Sequence, residues 1–425
     1  MQARYGPRYR WYALLTVMLG TMASIMASTI VNVAVPDMSR FFALGQERAQ
    51  WLSSGFMAAM TLSMPLTPWL LERHGYRRTY LGAVALLLAG SVVGGLANSY
   101  ALVMAMRVAE GLAAGVLQPI PAIIVLRAFA SHEQGRAMGL FGAAVVLAPA
   151  LGPSIGGVLV EWWGWRSIFF VAAPFCVLAL PLAWKLLPHS APGGRALDTE
   201  AELDLAGLML AAVVILLLLN GLAQLHGATA WAGVAMLAVA GAALWVFVRH
   251  QRRHARPLMR LDLFAHRNFR AGSVVSFIYG AALFGSTYLL PVFMQEALRL
   301  PPSTAGAVLL PSGIVLALTI PLVGRWTPPE SRRAVIVAGL GLIAASFVLT
   351  MLIGPGTALI ALAALAVLGR VGLGFILPSL NLAALADVPP ALVAQGTSLI
   401  NLLRQLGGAA GISLVGVLLQ WRLDA

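Results

Sequence analysis

Pro149-Ala150-Leu151-Gly152-Pro153-Ser154-Ile155-Gly156-Gly157 lies deep inside an uncharged apolar run. Its two prolines stand four residues apart, and Ala148, Gly152 and Gly156 make a small-residue stripe at helical spacing. Each proline removes a backbone donor and crowds the preceding turn, so a helix here must bend where neighbours can re-satisfy it. The stripe, with Gly157 beside it, lets a second helix approach backbone to backbone. A bent, closely packed helix pair suits a gated bundle rather than a passive anchor.

The surrounding sequence sets the class. Of the 425 residues, 60% are hydrophobic and 10% charged, where a soluble domain carries about a quarter charged. Mean hydropathy is +0.86. Apolar runs repeatedly reach the ~18–25 residues that cross a ~30 Å hydrocarbon layer. About thirteen spans are expected, at 11–35, 51–71, 79–98, 101–128, 136–160, 167–187, 205–224, 230–249, 271–293, 303–323, 334–353, 357–380 and 394–420. The chain therefore reads as an all-α polytopic membrane protein. The first span follows Arg4, Arg8 and Arg10 but is long and lacks a small-residue cleavage site, which marks a retained span.

The net charge of +13 is placed in loops. Arginines gather at Arg4/Arg8/Arg10, Arg73/Arg77/Arg78, Arg127/Arg136, Arg325/Arg332/Arg333, and most densely from Arg249 to Arg270. These clusters fall in every second loop, which predicts a cytoplasmic N-terminus. The opposite loops at 95–101, 222–230 and 353–357 are short and almost uncharged, and 188–204 alone among the basic-side loops leans acidic. Membrane lipids with anionic headgroups are the expected partner of the basic loops, and this placement argues against nucleic acid. The lone Cys176 permits no disulfide within the chain. With no Gly-rich phosphate loop, no metal-spaced Cys/His cluster and no soluble domain, the sequence predicts no enzyme, no cofactor and no metal.

Two segments echo each other across the chain. Pro68-Trp69-Leu70-Leu71-Glu72-Arg73-His74-Gly75-Tyr76-Arg77-Arg78 and Gly324-Arg325-Trp326-Thr327-Pro328-Pro329-Glu330-Ser331-Arg332-Arg333 are both tight basic turns between spans. Arg107-Val108-Ala109-Glu110-Gly111 is echoed by Arg370-Val371-Gly372-Leu373-Gly374. Repeated halves with a substrate site between them are a common transporter plan. The expected division is 1–190 as a six-helix half, 191–260 as a two-helix insert with its linkers, and 261–425 as a second half of five spans with its sixth lacking.

On these motifs the chain resembles the major facilitator superfamily, and within it the fourteen-span drug:proton antiporters of the EmrB/QacA type. Thr29-Ile30-Val31-Asn32-Val33-Ala34-Val35-Pro36 is similar to that group's first-span signature. The 68–78 turn is similar to the superfamily loop motif, with Pro68 and Glu72 in place of its glycine and aspartate. Arg107 to Gly115 and 148–157 are similar to the span-4 and antiporter motifs, and Asn401, Arg404, Gln405, Gly407 and Gly408 to a late pattern. Two departures stand out. The aspartate that the family has two residues before the threonine is Ala27 here, and the chain stops at Ala425, where the family continues into a fourteenth span. The resemblance implies a major facilitator fold of two pseudo-repeated halves with two inserted linker helices. It also implies the cytoplasmic (inner) membrane of a bacterium and, in double-membraned bacteria, a periplasmic adaptor and an outer-membrane channel as partners.

An ionisable group at membrane depth is a functional candidate by default. Among the fifteen acidic residues only Glu110 lies well inside a span, with Arg107 on the same helical face. Glu110, where the family more often has glutamine, is expected to take over the role vacated at Ala27. A nearby arginine favours the ionised carboxylate and burial the protonated one, so moving Arg107 away and back would load and release a proton. A permanent ion pair that only fixes packing is the competing reading. Candidates for the substrate cavity are Thr29, Asn32, Gln118, Tyr279, Tyr288, Asn401 and Arg404, and Arg370 is expected to cap or pair within its half. Gating and structural motif candidates are Glu72, Arg73, Gly75 and Arg77, read as a charge latch between halves, with Pro149, Gly152, Pro153, Gly156 and Gly157. Trp162, Trp163 and Trp165 read as an interfacial belt.

The function expected is proton-coupled, multidrug-type efflux of amphipathic or cationic small molecules by alternating access. An uncoupled or differently coupled exporter of a native metabolite is the alternative within transport. A non-transporting scaffold or defective paralogue is the alternative outside it.

Overall fold

The computed structural model describes residues 6–225, 230–299, 301–353 and 357–423, and no strand occurs among them. The helices are α1 (Tyr9–Phe41), α2 (Gln46–Ser63), α3 (Leu66–Leu96), α4 (Tyr100–Leu117), α5 (Ile120–Ala128), α6 (Ser131–Trp163), α7 (Ala173–Leu186), α8 (Leu205–Ala223), α9 (Ala230–Arg253), α10 (Arg267–Val292), α11 (Pro302–Trp326), α12 (Arg332–Thr350), α13 (Leu359–Ala384) and α14 (Val393–Leu423). Among the described residues, ten stretches are long and apolar enough to cross a membrane. The remaining expected spans, 51–71, 136–160 and 394–420, fall on α2 with the start of α3, on α6 and on α14.

The expected boundary at 51–71 moves for a physical reason. Gln46, Glu47, Arg48 and Gln50 open α2, and Pro65, which has no N–H to continue a helix, separates α2 from α3. The expected turn in 68–78 sits inside α3 at Gly75, whose φ of 75° breaks the helix in two. A Cβ there would stand 2.1 Å from the His189 carbonyl oxygen, so both conformation and space select glycine. Span 101–128 is two helices, α4 and α5, parted at Gln118-Pro119.

Burial sorts centre from rim. The apolar window of Tyr100–Ala128 is 83% buried and that of Tyr9–Phe41 72%, while that of Ala230–Arg253 is only 17% buried. The pair α8 and α9 pack on each other, and α8 also touches α2 and α14. Their outer faces expose Met209, Val213, Trp231, Val234 and Trp245, a surface that suits lipid tails and not water. At their foot, the buried Asp204 caps α8 through Gly207 N–H and accepts from His250, Gln251 and Leu258 N–H.

The proline–glycine segment runs within a single helix, α6, and its stripe meets α1. A Cβ on Gly152 would lie 2.7 Å from Thr29 Oγ1, and one on Gly156 2.7 Å from Ile30 Cγ1. Ala148 is buried against Ile25 and Met26. Gly157 has open space beside it. The side chains of Pro149 and Pro153 lie outside the described residues. A second glycine contact on α6 reaches the far part of the chain: Gly135 and Gly139 face Gly324 and Pro321 of α11, with a Cβ on Gly135 only 2.2 Å from the Gly324 carbonyl oxygen. At the same end a continuous core joins Phe129, Met138 and Phe141 to Leu399, Ile400 and Leu402. This is the end that carries the basic loops.

Trp165 departs from the expected interfacial belt. It is buried beside Phe42 and Phe169, whereas Trp162 and Trp163 are each 67% exposed. The reversal at Gly164 (φ 75°) turns the third tryptophan inward.

Candidate functional site

Helix α4 begins where Ser99 accepts from Leu102 N–H and brings Arg107 and Glu110 one turn apart. The two are 1% exposed each and form an ion pair, Arg107 Nη1 donating to Glu110 Oε2 at 2.8 Å. Arg107 also donates from Nη1 to the Ala27 carbonyl of α1 (3.0 Å) and from Nε to the Leu52 carbonyl of α2 (3.0 Å). Its guanidinium sits 4.3 Å from the centre of the Phe56 ring, a cation–π contact in a dry setting. Glu110 Oε1 accepts from Ser91 Oγ of α3 at 2.9 Å. Gly90 makes room for it, since a Cβ there would lie 2.6 Å from Glu110 Cγ. The pair therefore joins α1, α2, α3 and α4 through side-chain hydrogen bonds.

One group stays unsatisfied. Arg107 Nη2 is buried without a hydrogen-bond partner. An orphaned guanidinium N–H costs free energy, on the order of 1–3 kcal/mol. The site thus holds a donor ready for a further acceptor, on the same guanidinium that bonds the Ala27 carbonyl through Nη1.

Further along α4, the face that carries Arg107 packs against α2. A Cβ on Gly111 would stand 2.4 Å from the Phe56 carbonyl, and one on Gly115 2.0 Å from the Met60 carbonyl. Gln118 donates to the Met60 sulfur at 3.2 Å, and Gln405 of α14 approaches the same sulfur at 3.8 Å. Met60 thereby links an early and a late polar residue in the middle of the bundle. Sequence reasoning missed Ser91, Phe56 and Met60. Only the Gly90-Ser91 pair, small and polar in a leucine-rich span, carried a legible signal.

The other cavity candidates do not gather into one cluster. Thr29 bonds back to Ile25 and Met26 carbonyls of its own helix. Asn32 accepts from Ser53 Oγ at 2.6 Å. Tyr279 is fully buried against Leu316, Ile320 and Leu377, with its hydroxyl unpartnered, while Tyr288 is 42% exposed. Asn401 donates to the Thr397 carbonyl and accepts from Arg404 Nη2 at 2.7 Å. Arg370 donates to Thr287 Oγ1. Gly407 and Gly408 serve packing: a Cβ on Gly407 would lie 2.0 Å from the Phe277 carbonyl, and one on Gly408 2.4 Å from the Phe284 ring.

The expected charge latch has different partners. Glu72 lies 3.9 Å from Arg195, Arg73 Nη1 donates to the Ala201 carbonyl, and Arg77 Nε donates to the Leu187 carbonyl. These residues grip the segment that follows α7 instead of pairing with one another, because the Gly75 turn aims them at that segment. One group of potential metal ligands occurs among the described residues, Asp204, His250 and His254, with ligand atoms within 4.8 Å of one another. Both Asp204 oxygens already accept from protein donors, an arrangement complete without an ion.

Comparison with known proteins agrees with this architecture. The family profile described as Major Facilitator Superfamily matches residues 17–412. The lincomycin resistance protein of Listeria monocytogenes is 28% identical over 391 residues, covering 91% of this chain and 82% of that protein. The multidrug resistance protein B homolog of Mycobacterium tuberculosis is 30% identical over 441 residues, covering 100% of this chain and 79% of that protein. Among solved structures, the human organic anion transporter MFSD10 superposes with a TM-score of 0.69 at 18% identity, covering 95% of this chain and 92% of that one.

Proposed function

The chain belongs to the Major Facilitator Superfamily, and from that premise we propose that it exports amphipathic or cationic small molecules in exchange for protons, as a multidrug-type efflux protein. A member of this family is a multi-pass membrane transporter, not an enzyme. The names of the listerial and mycobacterial relatives support the drug class. The observation that carries the coupling is the buried Arg107–Glu110 pair, whose hydrogen bonds reach four helices at once. Protonating Glu110 weakens its hold on Arg107, and the freed guanidinium turns to another acceptor. A proton thus changes the helix contacts, the minimum that exchange requires.

In this reading residues 1–190 and 261–425 are the two moving halves and 191–260 is the insert with its linkers. The protein sits in the cytoplasmic membrane of a bacterium with its N-terminus inside, as its arginine-rich loops favour. The α6–α11 contact and the shared core then close the cytoplasmic end, so this conformation faces outward. Thr29, Asn32, Gln118, Tyr279, Tyr288, Asn401 and Arg404 remain the proposed substrate contacts. A periplasmic adaptor and an outer-membrane channel complete the route in a double-membraned host.

Ala27 favours a second reading, export without proton coupling, because position 27 offers no carboxylate. Dye accumulation in cells with and without the gene separates the two. Lower accumulation that disappears when the proton gradient is collapsed supports exchange. A difference that survives the collapse overturns coupling, and no difference overturns export.

A further inference from the structure

A cavity of about 770 Å³ opens at the basic-loop end of the first half, away from the Arg107–Glu110 pair, and its lining includes Tyr9, Arg10, Tyr76, Arg77, Arg127 and His189. Its wall is built by backbone. Tyr76 N–H donates to the Ser190 carbonyl and Arg77 N–H to the Pro188 carbonyl. Gly193, at φ 81°, lies so close to Arg127 that a Cβ would stand 1.9 Å from Nη2, and that nitrogen donates to the Pro192 carbonyl at 3.0 Å. The Gly75 turn and the Gly193 turn thus bring two guanidiniums to one loop, residues 188–194.

The charges there are not balanced. Arg10 is neutralised by Glu133 at 2.6 Å. Arg77 and Arg127 have carbonyl partners and, among the described residues, no carboxylate within ion-pair distance. Arg77 Nη1 also lies 2.6 Å from His189 Nε2, which places a third basic group at the mouth. Arg10 Nε and Arg127 Nε are buried without a hydrogen-bond partner. Arginines that line one cavity without a carboxylate to balance Arg77 and Arg127 suit a phosphate, whose oxygens accept from guanidinium N–H groups. The flank of the site is apolar: Trp184 is 65% exposed and lies 5.9 Å from the Arg77 guanidinium carbon. An exposed tryptophan at a helix end suits the headgroup level of a bilayer.

We propose that this cavity binds a phosphate group, carried by an anionic phospholipid headgroup or free in solution, and that bound phosphate clamps the 188–194 segment onto α3 and α5. The proposal is independent of what the transporter exports and of its coupling.

Thermal unfolding of the full chain tests it with two probes. One arm compares phosphatidylcholine bilayers with and without phosphatidylglycerol, and the other adds inorganic phosphate in plain phosphatidylcholine. The expected result is a rise in melting temperature with at least one probe, and the arm that gives it identifies the source. Arg127→Gln is expected to weaken binding about tenfold, the loss of one charge-assisted contact. His189→Ala, at an exposed loop position, is expected to weaken it less and guards against a folding defect in the first variant. No shift with either probe overturns the proposal, as does a shift of equal size in wild type and His189→Ala together with Arg127→Gln or, if that fails to fold, Arg77→Gln.

Discussion

Glu110→Gln isolates the charge of the buried carboxylate. The substitution is nearly isosteric, so the amide oxygen can still accept from Ser91 or Arg107, the partners now 2.9 and 2.8 Å away. What it removes is the counter-charge of an arginine that is 1% exposed. Taking one partner from a buried pair costs about 3–5 kcal/mol. A neutral acceptor that stays in place recovers part of that, so a loss of about 1–3 kcal/mol in stability is expected. The functional loss is larger. For a neutral substrate exchanged for one proton, a potential of ~100 mV supplies about 2.3 kcal/mol, or roughly fiftyfold accumulation. A monovalent cation exchanged for one proton moves no net charge and draws on the pH difference alone, so a neutral amphipathic substrate gives the cleaner assay. In proteoliposomes under an imposed potential, wild type is expected to approach that ratio, and Glu110→Gln is expected to fall to about unity while still equilibrating substrate downhill. Substrate-evoked proton movement, followed with a pH dye, is expected to vanish with it. Undiminished proton exchange in a folded Glu110→Gln protein would refute the assignment and leave the pair a packing device.

Ala27→Asp combined with Glu110→Gln is expected to restore uphill transport at least in part, because Arg107 Nη1 already bonds the carbonyl of residue 27 and its Nη2 is unpartnered; substrate accumulation in the same vesicles measures it. Gly135→Leu is expected to hold the α6–α11 end apart, since even a Cβ falls 2.2 Å from the Gly324 carbonyl, and the accessibility of a cysteine introduced at the basic-loop end should rise while expression is retained. Asp204 supplies one pH dependence outside the spans. Burial opposes its charge, but hydrogen bonds from His250, Gly207 N–H, Gln251 and Leu258 N–H outweigh that and hold its pKa below the usual aspartate value. Its contribution is therefore full above about pH 4, the unfolded value, and lost as pH falls through the lower folded value. Asp204→Asn should cost about 1–3 kcal/mol at neutral pH, read as faster hydrogen exchange in α8.

The legible part of this fold was the part written in runs of apolar residues and in glycine. Span positions followed from length and hydropathy, and the Arg107–Glu110 contact followed from a three-residue spacing in an apolar helix. What stayed hidden depends on which helix lies opposite. Nothing local in Gly152 or Gly156 names α1 as the partner, and nothing in Gly135 names α11. The Ser91 contact to Glu110 joins residues nineteen apart in sequence on different helices. The loop motif misled for the same reason. Its charges suggest pairing with each other, yet the Gly75 turn points them at residues 187–201, whose place beside α3 no periodicity encodes.

The two glycine contacts on α6 divide the work of that helix. Near its start, Gly135 and Gly139 meet α11, and near its end Gly152 and Gly156 meet α1. On the proposed division into halves, a helix seated on α1 at one end and on α11 at the other acts as a lever: separation at the basic-loop end breaks the α11 contact and leaves the α1 contact intact. Carbonyl 27, which holds Arg107, lies on α1 two residues before Thr29, the residue against Gly152. The lever's fixed end is therefore next to the ion pair. On the proposed coupling, a change in how Arg107 is held alters the seat of α6 on α1, and the α6–α11 contact passes that change on. The 148–157 motif and the candidate proton site then belong to one mechanical chain, with α1 as the shared element.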